Sequence, residues 1–296
     1  MRTGVFLAAD GTLEQLGEGL ADVAERGFDS AWLPNIFGFD ALTAIAAVGN
    51  RGPGIEIGTA VIPTYPRHPM MLASQALTTQ AAIGNRLALG IGLSHQIVIE
   101  NMFGYSFDKP ARHMKEYLQA LLPLLAGEPV NVQGETLKAV GQLSVAGAQR
   151  PPVLLAALAP TMLKLAGGVA DGTVTWMTGP ATVGDHIVPS ITAAAEAAGR
   201  PAPRTVVALP TMVTNDVDEA KARASKVFVV YGGLPSYRAM LDREGAAGPA
   251  DVVIAGDEAT VRKAIDGVRD AGATDFVAVP FGNAEENART LTVVKG

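Results

Sequence analysis

Short β-branched runs alternate with Ala-rich stretches of helical period along the whole chain. That alternation restricts the fold more than any other feature. Val5–Ala9, Ser30–Leu33, Ile55–Ile62, Arg86–Leu93, Val153–Leu158, Gly172–Met177, Thr205–Thr214 and Asp275–Phe281 read as eight strands, largely apolar and bounded by Gly, Pro or Asp. Helices lie between them. Thr12–Arg26 is capped by Thr12, carries Leu13, Leu16, Leu20 and Val23 on one face and ends at Gly27. Phe39–Asn50, Pro69–Ile83, Thr161–Val169, Gly184–Ala198, Asp257–Ala271 and Glu285–Val293 repeat the pattern. Apolar strands separated by helices pair in parallel with both faces covered. Eight such units without a break in composition predict a (β/α)8 TIM barrel, α/β in class, as a single domain over 1–296. A doubly wound open sheet is the alternative, but it usually has fewer strands at this length. Two insertions interrupt the repeat. After the fourth strand come the loop Gly92–Gly104, a helix Ala111–Leu125 with Arg112, Lys115 and Glu116 outward, and a hairpin within Pro129–Val145. After the seventh come helices Asp218–Val230 and Pro235–Glu244 and the short apolar run Val252–Ala255.

Composition narrows the chemistry. With no Cys in 296 residues, disulfide scaffolds, thiolate zinc sites, Fe–S clusters and a Cys nucleophile are excluded. Net charge is −6 and the basic residues are scattered singly, so no nucleic-acid partner is expected. The most apolar runs, Pro152–Leu158 and Leu87–Leu93, are far shorter than the roughly 20 residues a bilayer needs. Met1–Gly4 leads straight into a strand with no targeting pattern, so a cytoplasmic protein without membrane contact is expected.

A barrel of this kind carries its site on the loops after the strands. The four His (His68, His95, His113, His186) show no metal-ligand spacing, and no metal is expected. There is no GxSxG elbow, and Ser94 beside His95 is poor geometry for a nucleophile and its base. None of the eight Lys stands at a strand end. Asp10 is the one strand-end carboxylate, with Glu100 in the long loop, and a glycosidase needs a pair. The protein therefore supplies little chemistry of its own, and a cofactor is expected to carry the reaction. Gly90 and Gly92, with Gly167, Gly168 and Gly172, support that weakly. The turn Ala157-Leu158-Ala159-Pro160-Thr161 leads into a helix whose free amides can hold phosphate, though an ordinary β-to-α turn reads the same.

The loops resemble one family. Gly58-Thr59-Ala60-Val61-Ile62-Pro63 followed by Tyr65-Pro66-Arg67-His68-Pro69, then Gly84-Asn85-Arg86-Leu87-Ala88-Leu89-Gly90-Ile91-Gly92, are similar to the bacterial luciferase-like flavin and deazaflavin enzymes. Gly27-Phe28-Asp29-Ser30-Ala31-Trp32, Gly256-Asp257-Glu258-Ala259-Thr260-Val261 and Ala271-Gly272-Ala273-Thr274-Asp275-Phe276 extend the resemblance over nearly the whole chain, in order. It implies a luciferase-like TIM barrel with insertions, with coenzyme F420 or FMN across the mouth. It also implies a small-molecule substrate and, often, a homodimer.

In F420 members the third strand carries a bulge with a non-prolyl cis peptide, and the matching bond is Ala60–Val61. The phosphate grip matches Ala157, Leu158, Ala159 and Thr161. Gly92, Leu93 and Ser94 match the fourth-strand end lining the cofactor, and Trp176 with Met177 a ring-contacting position. Its alternative for Trp176 is a core aromatic. Several F420-dependent dehydrogenases have Asp-His after the second strand, where this chain has Asn35 and Ile36. Ile cannot take a proton, so the same alcohol oxidation is disfavoured; Asn35 and His95 remain the catalytic candidates, with a loop histidine of no catalytic role as the alternative for His95. The third-strand pattern and the excess of Arg (15) over Lys (8) lean toward F420. Three readings follow: an F420-dependent oxidoreductase moving hydride to or from a small organic substrate, an FMN-dependent monooxygenase, and a non-catalytic F420 or flavin carrier.

Overall fold

In a computed structural model of the protein, which describes residues 1–8 and 11–296, eight parallel strands close into a barrel. They are β1 (Arg2–Phe6), β2 (Ser30–Leu33), β3 (Glu56–Thr59), β4 (Leu87–Gly92), β5 (Val153–Leu155), β6 (Gly172–Trp176), β7 (Arg204–Val213) and β8 (Asp275–Pro280). Each pairs with the next, and β8 closes on β1 with Arg2 opposite Asp275. The expected strand over Val5–Ala9 starts earlier, at Arg2, because pairing to β8 begins there; its expected end, Ala9, lies outside the described residues. The short run near 252 pairs beside the end of β7 as Ile254–Gly256. A two-stranded hairpin, Val130–Gln133 with Lys138–Gly141, occupies the expected excursion after β4.

Local chemistry sets the helix ends. Helix Leu13–Glu25 has a full capping box, Thr12 accepting from Gln15 N and the Gln15 side chain accepting from Thr12 N. Asp40, Asp257 and Asn283 cap helices Ala41–Val48, Glu258–Asp270 and Ala284–Lys295.

The barrel interior is filled in layers. At its N-terminal end Arg204 reaches Glu56 through two nitrogens (3.1 and 3.0 Å) and Asp275 at 2.6 Å, while Arg2 lies 3.3 Å from Glu56 and 3.4 Å from Asp275. Above this layer sits the buried indole of Trp32, its Nε1 donating to Ser30 Oγ at 2.9 Å. Gly58 is the space for that ring: a Cβ there would lie 2.2 Å from it.

Three expectations need correction. Glu116 does not face outward: it is 7% exposed and accepts from Thr136 N (2.8 Å), Thr136 Oγ1 (2.7 Å) and Glu135 N (3.1 Å), tying helix Pro110–Leu125 to the hairpin. The loop Gly92–Gly104 contains a short helix, Gln96–Asn101. Gly167 and Gly172 serve packing, not a cofactor. A Cβ on Gly167 would lie 2.1 Å from Ile191 O, and one on Gly172 would lie 2.2 Å from Arg204 O.

Buried His113 gives the fold an acid-sensitive point. It packs flat on Tyr65 with ring centroids 4.0 Å apart, and its Nε2 lies 3.2 Å from Thr64 Oγ1. Burial pulls the imidazole down to about 4, and the nearby Glu116 carboxylate only partly opposes it. The unfolded chain, with the ordinary His value near 6.5, binds a proton that the folded chain refuses. Stability from this group is therefore complete above about pH 6.5 and is lost as pH falls toward 4, by roughly 3 kcal/mol. Urea unfolding at pH 7 and at pH 4.5 is expected to show most of that loss, and His113→Gln to remove it.

Candidate functional site

The mouth at the C-terminal ends of the strands is assembled from three sides. On the β3–β5 side the wall is backbone and small side chains. β3 was expected to run unbroken to Ile62. Instead it stops at Thr59, passes through a cis Ala60–Val61 peptide and resumes as Ile62–Pro63 against β4. Thr59 Oγ1 takes over the interrupted ladder, donating to Gly90 O (2.8 Å) and accepting from Gly90 N (2.9 Å). The glycines of β4 admit this bulge. A Cβ on Gly90 would lie 1.9 Å from Thr59 O, and one on Gly92 would meet Val61 Cγ2 at 2.8 Å and Ala156 Cβ at 3.1 Å. Ser94, just beyond, has φ of +61°. Non-glycine residues in that region gather at functional loops.

The second side is built from two helix starts, after β5 and after β6. The one after β6 starts at Pro180, and its first amides are taken: Glu244 accepts from Ala181 N (3.1 Å) and Thr182 N (2.7 Å). Helix Pro160–Gly168 after β5 has no side-chain cap. Its first-turn amides take no side-chain cap and lie beside the exposed Thr161 hydroxyl, at the positive end of the helix dipole. The preceding turn is held from outside: His186 Nε2 donates to Leu158 O at 2.8 Å. His186 reaches it from a π-turn, Val183–Ile187. Neither Glu244 nor His186 was singled out in the sequence, because the signal is a pairing across the fold.

The third side is aromatic. Trp176, at the end of β6, stacks on Phe6 of β1 (centroids 6.3 Å) and meets Phe228 and Tyr231 edge-on, each at 5.7 Å. Both come from the excursion after β7. Phe281 and Tyr237 extend the cluster, and His95 lies 5.7 Å from Tyr237. Burial lowers the His95 pKa, so the ring is neutral at pH 7. The Trp176 indole N–H is buried without a hydrogen-bond partner. Met177, at φ +54°, sends its fully buried side chain under the excursion, beside Phe228 and Leu241.

Next to this mouth a cleft of about 610 Å³ runs along the loops after β1 and β2, lined by Ala8, Gly11, Pro34, Ile36, Phe37, Gly38 and Phe39. None of these residues ionises. Ile36 and Phe37 are more than 60% exposed, which is a cost unless something apolar covers them. The Asn35 side-chain oxygen accepts from Ala41 N (2.9 Å) and Arg67 (3.3 Å), tying the loop to helix Ala41–Val48. Arg67 also pairs with Asp40. Asp10 lies outside the described residues. Among the described residues no three His, Asp or Glu gather as a metal site, and no helix is long and apolar enough to cross a membrane.

The structure thus brings together Ala60, Val61 and Gly92, with Leu93 and Ser94 following, places the Ala157–Thr161 turn at an open helix start, and puts Trp176 and His95 on the aromatic side. It does not bring Asn35 there.

Comparison with known proteins agrees with this geometry. The family described as luciferase-like monooxygenase matches residues 1–288. The 5,10-methylenetetrahydromethanopterin reductase of Methanolobus tindarius is 31% identical over 235 residues, covering 77% of this chain and 71% of that protein. The enzyme of the same name from Methanopyrus kandleri is 27% identical, over 97% and 95% of the two chains. Among solved structures, the coenzyme F420 dependent tetrahydromethanopterin reductase from Methanopyrus kandleri superposes with a TM-score of 0.82 at 24% identity, covering 99% of this chain and 97% of that one. The oxygenating constituent of 3,6-diketocamphane monooxygenase from Pseudomonas putida, in complex with FMN, does so at 0.78 and 16%, over 100% and 97%. By its fold, its bulged third strand and its match over nearly its full length, the chain belongs to the luciferase-like monooxygenase family.

Proposed function

We propose that this protein is an F420-dependent oxidoreductase acting as one domain, which moves a hydride between coenzyme F420 and a small, electron-poor organic substrate. The observation that carries the reading is the pairing of a side-chain-poor wall with an open helix start. A flat tricycle needs a wall of backbone and small side chains, and Gly90 and Gly92 let the Ala60–Val61 bulge pack onto β4 so that Val61 and Ala156 form one. Its phosphate needs donors, and the uncapped turn at Ala157, Leu158, Ala159 and Thr161 has them, while the neighbouring helix start is already filled by Glu244. The unpartnered Trp176 N–H fits a polar ring edge. When bound, the cofactor supplies a hydride and its two electrons.

The chain's own residues do the rest. Thr161 and the first-turn amides hold the phosphate, and His186 fixes the turn through Leu158 O. Val61 and Trp176 orient the ring and exclude water. The cleft at Ile36 and Phe37 receives the apolar part of the substrate. Relatives named as F420-dependent, including a putative coenzyme F420-dependent oxidoreductase of Mycobacterium tuberculosis at 30% identity over 52% of this chain, support the deazaflavin over FMN. The FMN-bound fold neighbour keeps the monooxygenase as the second reading.

Tryptophan quenching with oxidised F420 and with FMN, side by side, tests this. F420 is expected to bind at least tenfold more tightly, and reverse order moves the protein to the FMN branch. Since Trp32 is sealed inside the barrel, Trp176→Phe is expected to remove most of the quench. Thr161→Val is expected to weaken F420 about tenfold, the value of one hydrogen bond to a charged group. A protein that binds F420 but reduces no acceptor in a broad screen is a carrier.

A further inference from the structure

The stretch that lines the apolar cleft has little of its own to hold it in place. Ile36, Phe37 and Gly38 are exposed, and only Phe39 packs against the core. The backbone of these four residues bonds to no other backbone group among the described residues. A loop so placed gains by folding its apolar side chains into the cleft, out of water. Its two ends are pinned instead. Asn35 and Asp40 bracket the stretch, and one nitrogen, Arg67 Nη2, donates to both, to Asn35 Oδ1 at 3.3 Å and to the Asp40 carboxylate. Gln75 braces the pair, accepting from Arg67 Nη1 (3.1 Å) and donating to Asp40 Oδ1 (3.2 Å). Asp40 also caps helix Ala41–Val48 through Thr43 N at 2.9 Å. The root of Arg67 is held as firmly as its tip. Its carbonyl accepts from the buried Tyr117 Oη at 2.8 Å, and its N–H donates to Thr64 O at 3.2 Å, in the loop that follows the Ala60–Val61 bulge. One side chain thus fastens the cleft loop to the loop of the bulged wall.

We propose that Arg67 is a positioning residue, which clamps the loop at Asn35 and Asp40 and so holds the cleft at Ile36 and Phe37 open for the apolar part of the substrate. The assignment rests on the reading of that cleft given above. A planar guanidinium meets Asn35, Asp40 and Gln75 at once and at fixed angles. A lysine ammonium is a point charge on a flexible stem, which keeps Asp40 and releases the others. With the clamp lost, the cleft is open in only a fraction of the molecules, and an apolar ligand binds more weakly by that fraction.

The test is equilibrium binding of Nile red, an uncharged apolar dye that brightens out of water, to the protein with and without oxidised F420. Phe37→Ser locates the dye and is expected to weaken it about tenfold, the worth of burying one large apolar side chain. Arg67→Lys is expected to weaken the dye about tenfold, the worth of one hydrogen bond to a charged group. Its F420 affinity, read by tryptophan quenching, is expected to stay within a few-fold of wild type. Asp40→Asn keeps the helix cap, since Asn caps as well as Asp, and is expected to lose as much dye affinity as Arg67→Lys. The double variant is expected to lose no more than the weaker-binding single one. Arg86→Lys is the structural control. Arg86 cross-links Gly52 O and Ile55 O, each at 2.7 Å, at the other end of the barrel. Its change is expected to lower stability to urea and to leave dye affinity as in wild type. Wild-type dye affinity in Arg67→Lys or in Phe37→Ser, equal loss in Arg86→Lys, additive losses in the double variant, a parallel loss of F420 and dye, or no dye binding to wild type overturns the clamp. If wild type binds no F420 while the dye results hold, the cofactor reading falls and the clamp stands.

Discussion

Replacing Arg204 with leucine is expected to lower the free energy of unfolding by about 3–5 kcal/mol, the usual cost of removing one partner from a buried ion cluster. Arg204 closes the N-terminal end of the barrel, holding Glu56 through two nitrogens and Asp275 at 2.6 Å. Asp275 is 1% exposed, so without Arg204 its carboxylate has only the more exposed Arg2, at 3.4 Å, as a cationic partner beside the Thr274 hydroxyl at 2.6 Å. Denaturant unfolding at pH 7 measures the loss. The double variant Arg204→Leu, Asp275→Asn is expected to lose less than the sum of the single changes, because the second removes the charge that the first strands. F420 affinity of whatever protein remains folded is expected to be unchanged, since the cluster lies at the opposite end of the barrel from the mouth. Additive losses in the double variant remove the cluster as the cause.

Gly90→Ala is expected to cost about 3 kcal/mol or more and to abolish tight cofactor binding in the protein that still folds. The new Cβ would lie 1.9 Å from the backbone oxygen of Thr59 and 3.1 Å from Val61, so β3 must move, and with it the bulge that forms the wall. Gly54→Ala is the matched comparison. Gly54 has φ of +77° with nothing within 4 Å of the added carbon, so it carries only the left-handed backbone penalty of about 1–2 kcal/mol. If both substitutions cost the same, steric closure against Thr59 is not what Gly90 prevents.

The barrel was legible because each unit states itself locally. Thr12 with Gln15, Asp40 and Asp257 announce helix starts, and eight apolar runs announce strands. Interactions between distant segments were not legible. Glu116 looks like a surface residue by helical phase, and only the hairpin at Thr136 shows why it is buried. Gly90 and Gly92 read as a weak loop motif until Thr59 and Val61 come to lie against them. The split of β3 has no periodic signature, since its residues stay apolar throughout; the resemblance carried it. Asn35 was placed among catalytic candidates by its position after β2, but its carboxamide oxygen accepts from Ala41 N and Arg67, which local sequence cannot reveal.

The return of the excursion to β7 has a consequence for how such a barrel diversifies. The excursion leaves at the end of β7 and comes back as Ile254–Gly256, paired alongside Thr211–Val213. Its two ends are stitched to the same three residues, so the span between them closes its loop on a strand the barrel already holds rigid. Closure entropy grows only with the logarithm of loop length, so lengthening or shortening the span costs the barrel little. The segment from Asn215 to Val253 is in effect an exchangeable cassette, carrying its own aromatic face and its own anchor, Glu244, on the helix after β6. Insertion and deletion there can reshape the aromatic side of the mouth, while the Ala157–Thr161 turn, the bulged wall and the ion cluster below stay untouched.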